Sequence, residues 1–163
     1  MRSGANQHVS AVRLAGLIGL LLLGAAAWAK AEGTPQAKPS DAGLAKNLSM
    51  AESQHEIVMI LLKKKQFTQA AVEADKIFQM DWPPDQEPRL LQELLGLSGQ
   101  FLKYEQPALA LQLLEKNGPS FKALKSQVAL WKERGYLLKS MGQDDKALDC
   151  FRKAQELEKK APD

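Results

Sequence analysis

Apolar residues recur every three or four positions through most of the chain, and this spacing predicts helices that bury one face. The first helix is predicted from about Met50 to Lys65, with a capping box formed by Ser49 and Glu52. A second, alanine-rich helix is predicted from about Thr68 to Met80, and two consecutive prolines end it.

Four further helices follow from the same pattern. Their caps or first residues are predicted at Asp85, Ala108, Ser120 and Asp145. The run Asn117-Gly118-Pro119 and the turn at Gly142 separate them, because these residue types end helices. The folded part is therefore predicted to be all-α, with six helices arranged as three antiparallel pairs.

One segment of the last pair resembles a tetratricopeptide repeat (TPR), whose pattern is W-x2-L-G-x2-Y, then A-x3-F and a later Pro. The residues that match the pattern are Trp131, Gly135, Ala147, Phe151 and Pro162. Arg134 replaces the Leu of the pattern and Leu138 replaces the Tyr.

The resemblance implies a short TPR-like solenoid, in which helix pairs that cannot bury their apolar faces alone stack on one another. The alanines that open the second helix of each pair are taken as Ala70, Ala108 and Ala147. Their separations of 38 and 39 residues exceed the family's period of about 34 by roughly one helical turn. An unrelated six-helix bundle is the alternative fold.

The N-terminus has the layout of a secretory signal. An apolar block from Leu14 to Ala25 follows Arg2 and Arg13 and precedes the small-x-small sequence Ala27-Trp28-Ala29. We therefore expect a signal peptide at residues 1–29, a flexible leader at 30–48 and the TPR-like helical domain at 49–163. A loose helical turn over Asp41 to Leu48 is the alternative for the end of the leader. The protein is expected to be periplasmic or secreted, in the cell envelope of a bacterium.

Charge and cysteine content exclude some functions. Removal of Arg2 and Arg13 with the signal would leave 20 Lys and Arg against 19 Asp and Glu, a balance that argues against nucleic-acid binding. Cys150 is the only cysteine, so the chain forms no internal disulfide, and we expect this residue to be a small, partly buried apolar side chain.

No catalytic, cofactor-binding or metal-binding constellation is predicted. Beyond the signal, the chain has one histidine, His55, and it has no cysteine pair and no glycine-rich phosphate loop. The protein is therefore not expected to be an enzyme. An unrecognised enzyme that uses His55, Tyr136 or one of the lysines is retained as an alternative class.

In the family that the chain resembles, the first helix of each pair lines a concave face, and side chains off the packing stripe contact the partner. The corresponding candidates here are His55, Met59, Lys63, Arg89, Gln92, Lys132, Tyr136 and Lys139. Four of these are cations, which favours an acidic segment or a free C-terminal carboxylate as ligand. Trp82 is expected to pack across the junction between pairs, and a contact with the partner is the alternative for this residue.

The resemblance thus implies a protein–protein interaction module that acts as an adaptor, scaffold or chaperone and needs no cofactor. The alternative is a membrane-anchored assembly factor, in which the apolar segment from Leu14 to Ala29 stays attached. Because the end of a helical stack exposes an apolar flank unless it is capped, self-association through the last helix is a further expectation.

Overall fold

The computed structural model describes residues 39–160, and these form six α-helices and two short 3₁₀ turns without any strand. The helices are α1 (Pro39–Lys63), α2 (Phe67–Phe78), α3 (Glu87–Lys103), α4 (Pro107–Asn117), α5 (Leu124–Ser140) and α6 (Asp144–Glu158). The all-α prediction is confirmed for this part of the chain. The predicted signal peptide and Pro162 lie outside the described residues.

Three helix connections share one backbone geometry. Lys65, Glu105 and Gly142 each follow the last turn of a helix with a positive φ, of 59°, 59° and 70° respectively. In each turn the N–H of the next residue, a glutamine, donates to the carbonyl five positions earlier at 2.9 Å. This is the hydrogen bond of a Schellman motif, which ends a helix and reverses the chain.

The same glutamine then starts the following helix. The carbonyl groups of Gln66, Gln106 and Gln143 accept the first helical hydrogen bonds, from the N–H groups of Ala70, Ala110 and Ala147. All three alanines are buried. The structure therefore makes Ala110 the counterpart of Ala70 and Ala147, with separations of 40 and 37 residues.

The sequence-based alignment of Ala108 with these residues is wrong. Ala108 lies in the first turn of α4 and is exposed, whereas Ala110 faces the core. Both positions carry alanine, so composition could not separate them. The hydrogen bond that Ala110 donates to the Gln106 carbonyl is what identifies Ala110 as the equivalent position.

Helix α1 begins earlier than the sequence predicts. It starts at Pro39, so residues 39–48 are helical, although we assigned them to the leader. The side-chain amide of Asn47 donates to the backbone carbonyl of Asp81 at 2.7 Å, and this contact with the segment after α2 stabilises the added turns. The predicted capping box is wrong, because Ser49 lies inside the helix and its carbonyl accepts from the Ser53 hydroxyl at 3.1 Å.

Helix α5 begins later than predicted. Ser120 does not cap it but lies in a 3₁₀ turn, where its hydroxyl donates to the carbonyl of Asn117 at 2.7 Å. The cap comes from α3 instead: the carboxylate of Glu87 accepts from the N–H groups of Lys122 at 3.1 Å and Ala123 at 2.8 Å. The Glu87 side chain of α3 thus binds the backbone at the N-terminal end of α5.

The helix pairs contact one another in chain order. Helix α2 packs against α4, while α3 and α4 both pack against α5, and α5 packs closely along α6. The largest fully buried side chains of this core are Val58, Leu62, Ile77, Leu94, Leu97, Phe101 and Leu137. A smaller cluster, formed by α5 and α6, contains Leu138, Ala147 and Cys150.

Cys150 is buried, as its helix position predicted, and it is a free thiol. Burial raises the pKa of this thiol above its ordinary value. The thiolate is therefore disfavoured, which makes Cys150 a packing residue of the α5–α6 pair.

Candidate partner-binding site

An open groove of about 530 Å³ lies between α1 and α3, and the end of α2 contributes to its wall. Its apolar lining comes from Leu48, Ala51, Ile77, Trp82 and Leu90. Its polar lining comes from Ser49, Glu52, His55, Arg89 and Glu93. We call this feature the α1–α3 groove. It combines apolar side chains with charged side chains of both signs.

Two side chains fix the groove across its two helices. The Nδ1 atom of His55 on α1 lies 2.6 Å from Oε1 of Glu93 on α3. Both side chains are about one third exposed, so the pair is reached by water at the groove surface. His55 is therefore engaged with a carboxylate and helps to set the spacing of α1 and α3.

Trp82 provides the aromatic wall of the groove. Its indole N–H donates to the backbone carbonyl of Ile77 at 2.7 Å. This bond satisfies a carbonyl near the C-terminal end of α2 and orients the ring. The half-buried ring leaves apolar surface facing the groove beside Leu90.

The structure brings only two of the eight predicted partner-binding residues into the α1–α3 groove, His55 and Arg89. Arg89 is exposed. Met59 is partly buried and packs against the main core. Its side chain is therefore chiefly a packing element.

The other five predicted residues lie elsewhere on the surface. Lys63, Gln92 and Lys139 are exposed. Lys132 forms an ion pair with Glu158 of α6 at 2.5 Å. Tyr136 is 57% exposed, and its ring meets the Phe151 ring edge to face at 5.1 Å. The eight residues thus do not form one continuous cationic surface.

Sequence reasoning did not select two acidic residues of the groove, Glu52 and Glu93. Glu93 lies four positions after Arg89, which places both on one face of α3. That spacing was visible in the sequence. It could not show that the face lies opposite His55, because the rotation of α3 against α1 is a tertiary property.

A second groove, of about 520 Å³, lies between α4 and α5. Leu114, Phe121 and Leu130 line its apolar side. Arg134 lies over the Trp131 ring at 5.5 Å and pairs with Glu115 at 2.7 Å. We refer to this feature as the α4–α5 groove. Trp131 and Arg134 both belong to the repeat-like segment.

The described residues contain no group of three or more His, Cys, Asp or Glu side chains placed to hold a metal ion. Between residues 39 and 160, no helix combines the length and the apolar character needed to cross a bilayer. Comparison with protein-family models, with curated proteins and with solved structures gave no match.

Proposed function

We propose that this chain is an exported, TPR-like helical-repeat module that holds a protein partner in the bacterial cell envelope without catalysing a reaction. The observation that carries the proposal is the threefold recurrence of one hairpin. Each copy has a Schellman turn, at Lys65, Glu105 or Gly142, followed by a glutamine and a buried alanine. Repeated helix pairs of this kind stack to present an extended binding surface.

The contacts between pairs support a stacked arrangement over an unrelated bundle. Ser98 on α3 donates to the carboxylate of Glu133 on α5 at 2.6 Å, and His55 on α1 meets Glu93 on α3. The first helices of successive pairs are thus joined to one another by side-chain bonds. In a solenoid, each repeat contacts its neighbours in this way.

The α1–α3 groove is the site that we assign to the partner. Trp82 and Leu90 offer apolar surface for one side chain, and the exposed Arg89 can donate charge-assisted hydrogen bonds to a carboxylate beside it. The ligand is accordingly a polypeptide segment that carries an acidic residue next to an apolar one. Such a segment places its charge at the rim and its apolar group on the floor.

Site-specific photo-crosslinking in the native host tests this assignment. The crosslinker replaces the exposed Ser49, which lines the groove, and a control replaces Gln155, which is exposed on α6. We expect one dominant protein to be trapped from residue 49 alone, as for an adaptor or scaffold. Many clients trapped from residue 49 would indicate a chaperone. Equal trapping from both residues would contradict the site.

Export is part of the proposal, and the alternative is an uncleaved membrane anchor. The intact mass of the protein isolated from its host distinguishes them. We expect a mass that corresponds to a chain starting at Lys30, after the apolar block and Ala29. A chain that keeps the apolar block would favour the membrane-anchored assembly factor.

A further inference from the structure

Helix α1 exposes an apolar stripe on the side that faces away from the core. Met50, Ile57 and Ile60 are 48%, 43% and 49% exposed. Together with Ser53 and with Lys64, which directly follows the end of α1, they are spaced by three, four, three and four residues. This is the a/d spacing of a coiled-coil seam.

The stripe is distinct from the face that folds the domain. Val58 and Leu62, on the opposite side of α1, are fully buried, and Gln54 donates to the Glu73 carboxylate of α2 at 2.6 Å. The seam therefore remains uncovered by the helices that pack on α1. It also lies apart from His55, which faces the α1–α3 groove.

The two ends of the helical stack differ in polarity. On α6, the exposed positions Arg152, Lys153, Gln155 and Glu156 give a mostly polar outer face, with Leu148 as the large apolar exception. A polar outer face is what a terminal repeat needs to remain soluble. Helix α1 instead exposes Met50, Ile57 and Ile60, so more large apolar side chains are exposed on α1 than on α6.

Charges beside the seam indicate what covers it. Glu56 and Lys63 are exposed and precede Ile57 and Lys64, so both lie on the same flank of the seam. If two copies of α1 run antiparallel with Ile57 opposite Ile60, Glu56 of each copy comes beside Lys63 of the other. In an antiparallel coiled coil, this flank is where such ion pairs form.

We propose that the protein forms a reversible homodimer through antiparallel pairing of two α1 helices, with the two-fold axis between Ile57 and Ile60. The same surface supplies apolar contacts at the centre and an acid–base pair on each side, which is the self-complementarity that a two-fold interface requires. In this register Ser53 lies opposite Lys64 at each end of the paired segment, and Met50 lies beyond it. These polar residues limit the apolar contact to the Ile57 and Ile60 side chains. We therefore expect the two copies to associate weakly and to exchange rapidly between monomer and dimer.

Analytical ultracentrifugation of the isolated protein over roughly 1 to 500 µM tests the dimer. We expect the mass to rise from monomer to dimer across this range, and Ile57→Asp to abolish the rise. Val72→Asp is the matched control, because Val72 is an exposed apolar residue of α2 outside the seam. We expect that variant to dimerise like the wild type.

Charge exchange tests the antiparallel register. Glu56→Lys and Lys63→Glu should each weaken self-association about tenfold, because each single change places like charges together on both sides of the axis. The double variant should recover the wild-type affinity. An equimolar mixture of the two single variants should form a heterodimer, since every flanking pair is then of opposite charge.

Two results would overturn this inference. One is a monomer at every concentration, as expected if another protein or another part of this chain covers the seam. The other is a dimer that Ile57→Asp leaves intact. Ser49 lies on the same flank of α1 as Glu56, so a second copy of this chain trapped from residue 49 would report the dimer. Either overturning result leaves the α1–α3 groove testable from its other wall, because Arg89 lies on α3.

Discussion

The ring of Phe151 occupies the space where a side chain on Gly135 would begin. A Cβ atom on Gly135 would lie 2.7 Å from Cε1 and 2.8 Å from Cζ of that ring. The same ring meets Tyr136 edge to face. Glycine at position 135 therefore sets how closely α5 and α6 approach, which gives a physical reason for two residues of the repeat-like motif.

Gly135→Ala should destabilise the protein by about 1 kcal/mol. Overpacking against Phe151 costs about 1–3 kcal/mol, and the better helix propensity of alanine returns up to about 1 kcal/mol. Chemical denaturation monitored by circular dichroism measures the change. The control is Gly99→Ala, since a Cβ on Gly99 meets nothing within 4 Å.

That control should stabilise the protein by about 0.5–1 kcal/mol, because α3 gains helix propensity without a clash. Equal effects of the two alanines would contradict the packing account. The packing account would also be contradicted if the Gly135→Ala variant were as stable as the wild type and kept the same spacing between α5 and α6.

The sequence predicted an all-α fold with six helices, because helix formation follows the local spacing of apolar residues. It missed the start of α1, which depends on the bond from Asn47 to Asp81, and the start of α5, which depends on Glu87. The partners in these bonds are more than 30 residues apart. Local pattern carries no information about such contacts.

A second prediction concerns the three turns with a positive φ, at Lys65, Glu105 and Gly142. Lys65 and Glu105 adopt the left-handed conformation that Gly142 adopts without steric cost. Glu105→Gly should therefore stabilise the protein by up to about 1 kcal/mol, the left-handed penalty of about 1–2 kcal/mol less the entropy that glycine adds to the unfolded chain. Thermal denaturation measures the shift.

Gly142→Ala is the reciprocal variant and should destabilise by about 1 kcal/mol, because alanine takes on the same penalty. A loss of stability in Glu105→Gly would mean that the turns are not equivalent. That outcome would weaken the threefold hairpin repeat on which the proposed function depends.

A buried carboxylate joins α2 to α4. Asp75 is 6% exposed and accepts from the side-chain amides of Asn117 at 3.0 Å and Gln79 at 2.5 Å, and it also pairs with Lys116. Asp75→Ala should destabilise by about 2–4 kcal/mol, because it removes the acceptor from a buried network. Urea denaturation of the variant measures this loss.

Asp149→Ala serves as the comparison, since that carboxylate is exposed on α6 and lies 3.6 Å from Arg152. Its effect should stay within about 0.5 kcal/mol. Similar losses in both variants would show that the Asp75 network does not hold the first two helix pairs together.

Glu87 gives a pH-dependent contribution to stability. Burial raises the pKa of Glu87, but hydrogen bonds from the Ser126 hydroxyl and from the N–H groups of Ala123 and Lys122 outweigh it and hold the pKa below the ordinary 4.5. A carboxyl with a lowered folded pKa stabilises the fold above its unfolded pKa. That contribution is lost as the pH falls through the folded pKa.

Glu87→Ala should therefore cost about 1 kcal/mol at pH 7, as for loss of a helix cap. The difference between variant and wild type should shrink as the pH falls below about 4.5. Denaturation curves between pH 7 and 3 measure it. The pKa of Glu73 is also lowered, through hydrogen bonds from Lys76 and Gln54, but that contribution is common to both proteins and cancels. A difference independent of pH would exclude a charged cap.

The candidate site was only partly accessible from the sequence. His55 and Arg89 could be selected because they lie off the apolar stripes of their helices. The contributions of Trp82 and Glu93 depend on how α1, α2 and α3 are rotated against one another. Helical periodicity gives each face but does not say which faces meet.

The most direct test of the binding account is an equilibrium titration of the partner trapped from residue 49 against purified variants. Arg89→Glu, in the α1–α3 groove, should weaken binding at least about tenfold, through the loss of a charge-assisted bond. Arg152→Glu, which makes the same charge change on the exposed face of α6, should leave the affinity within about twofold of wild type. Equal affinities for both variants would contradict the groove as the partner site.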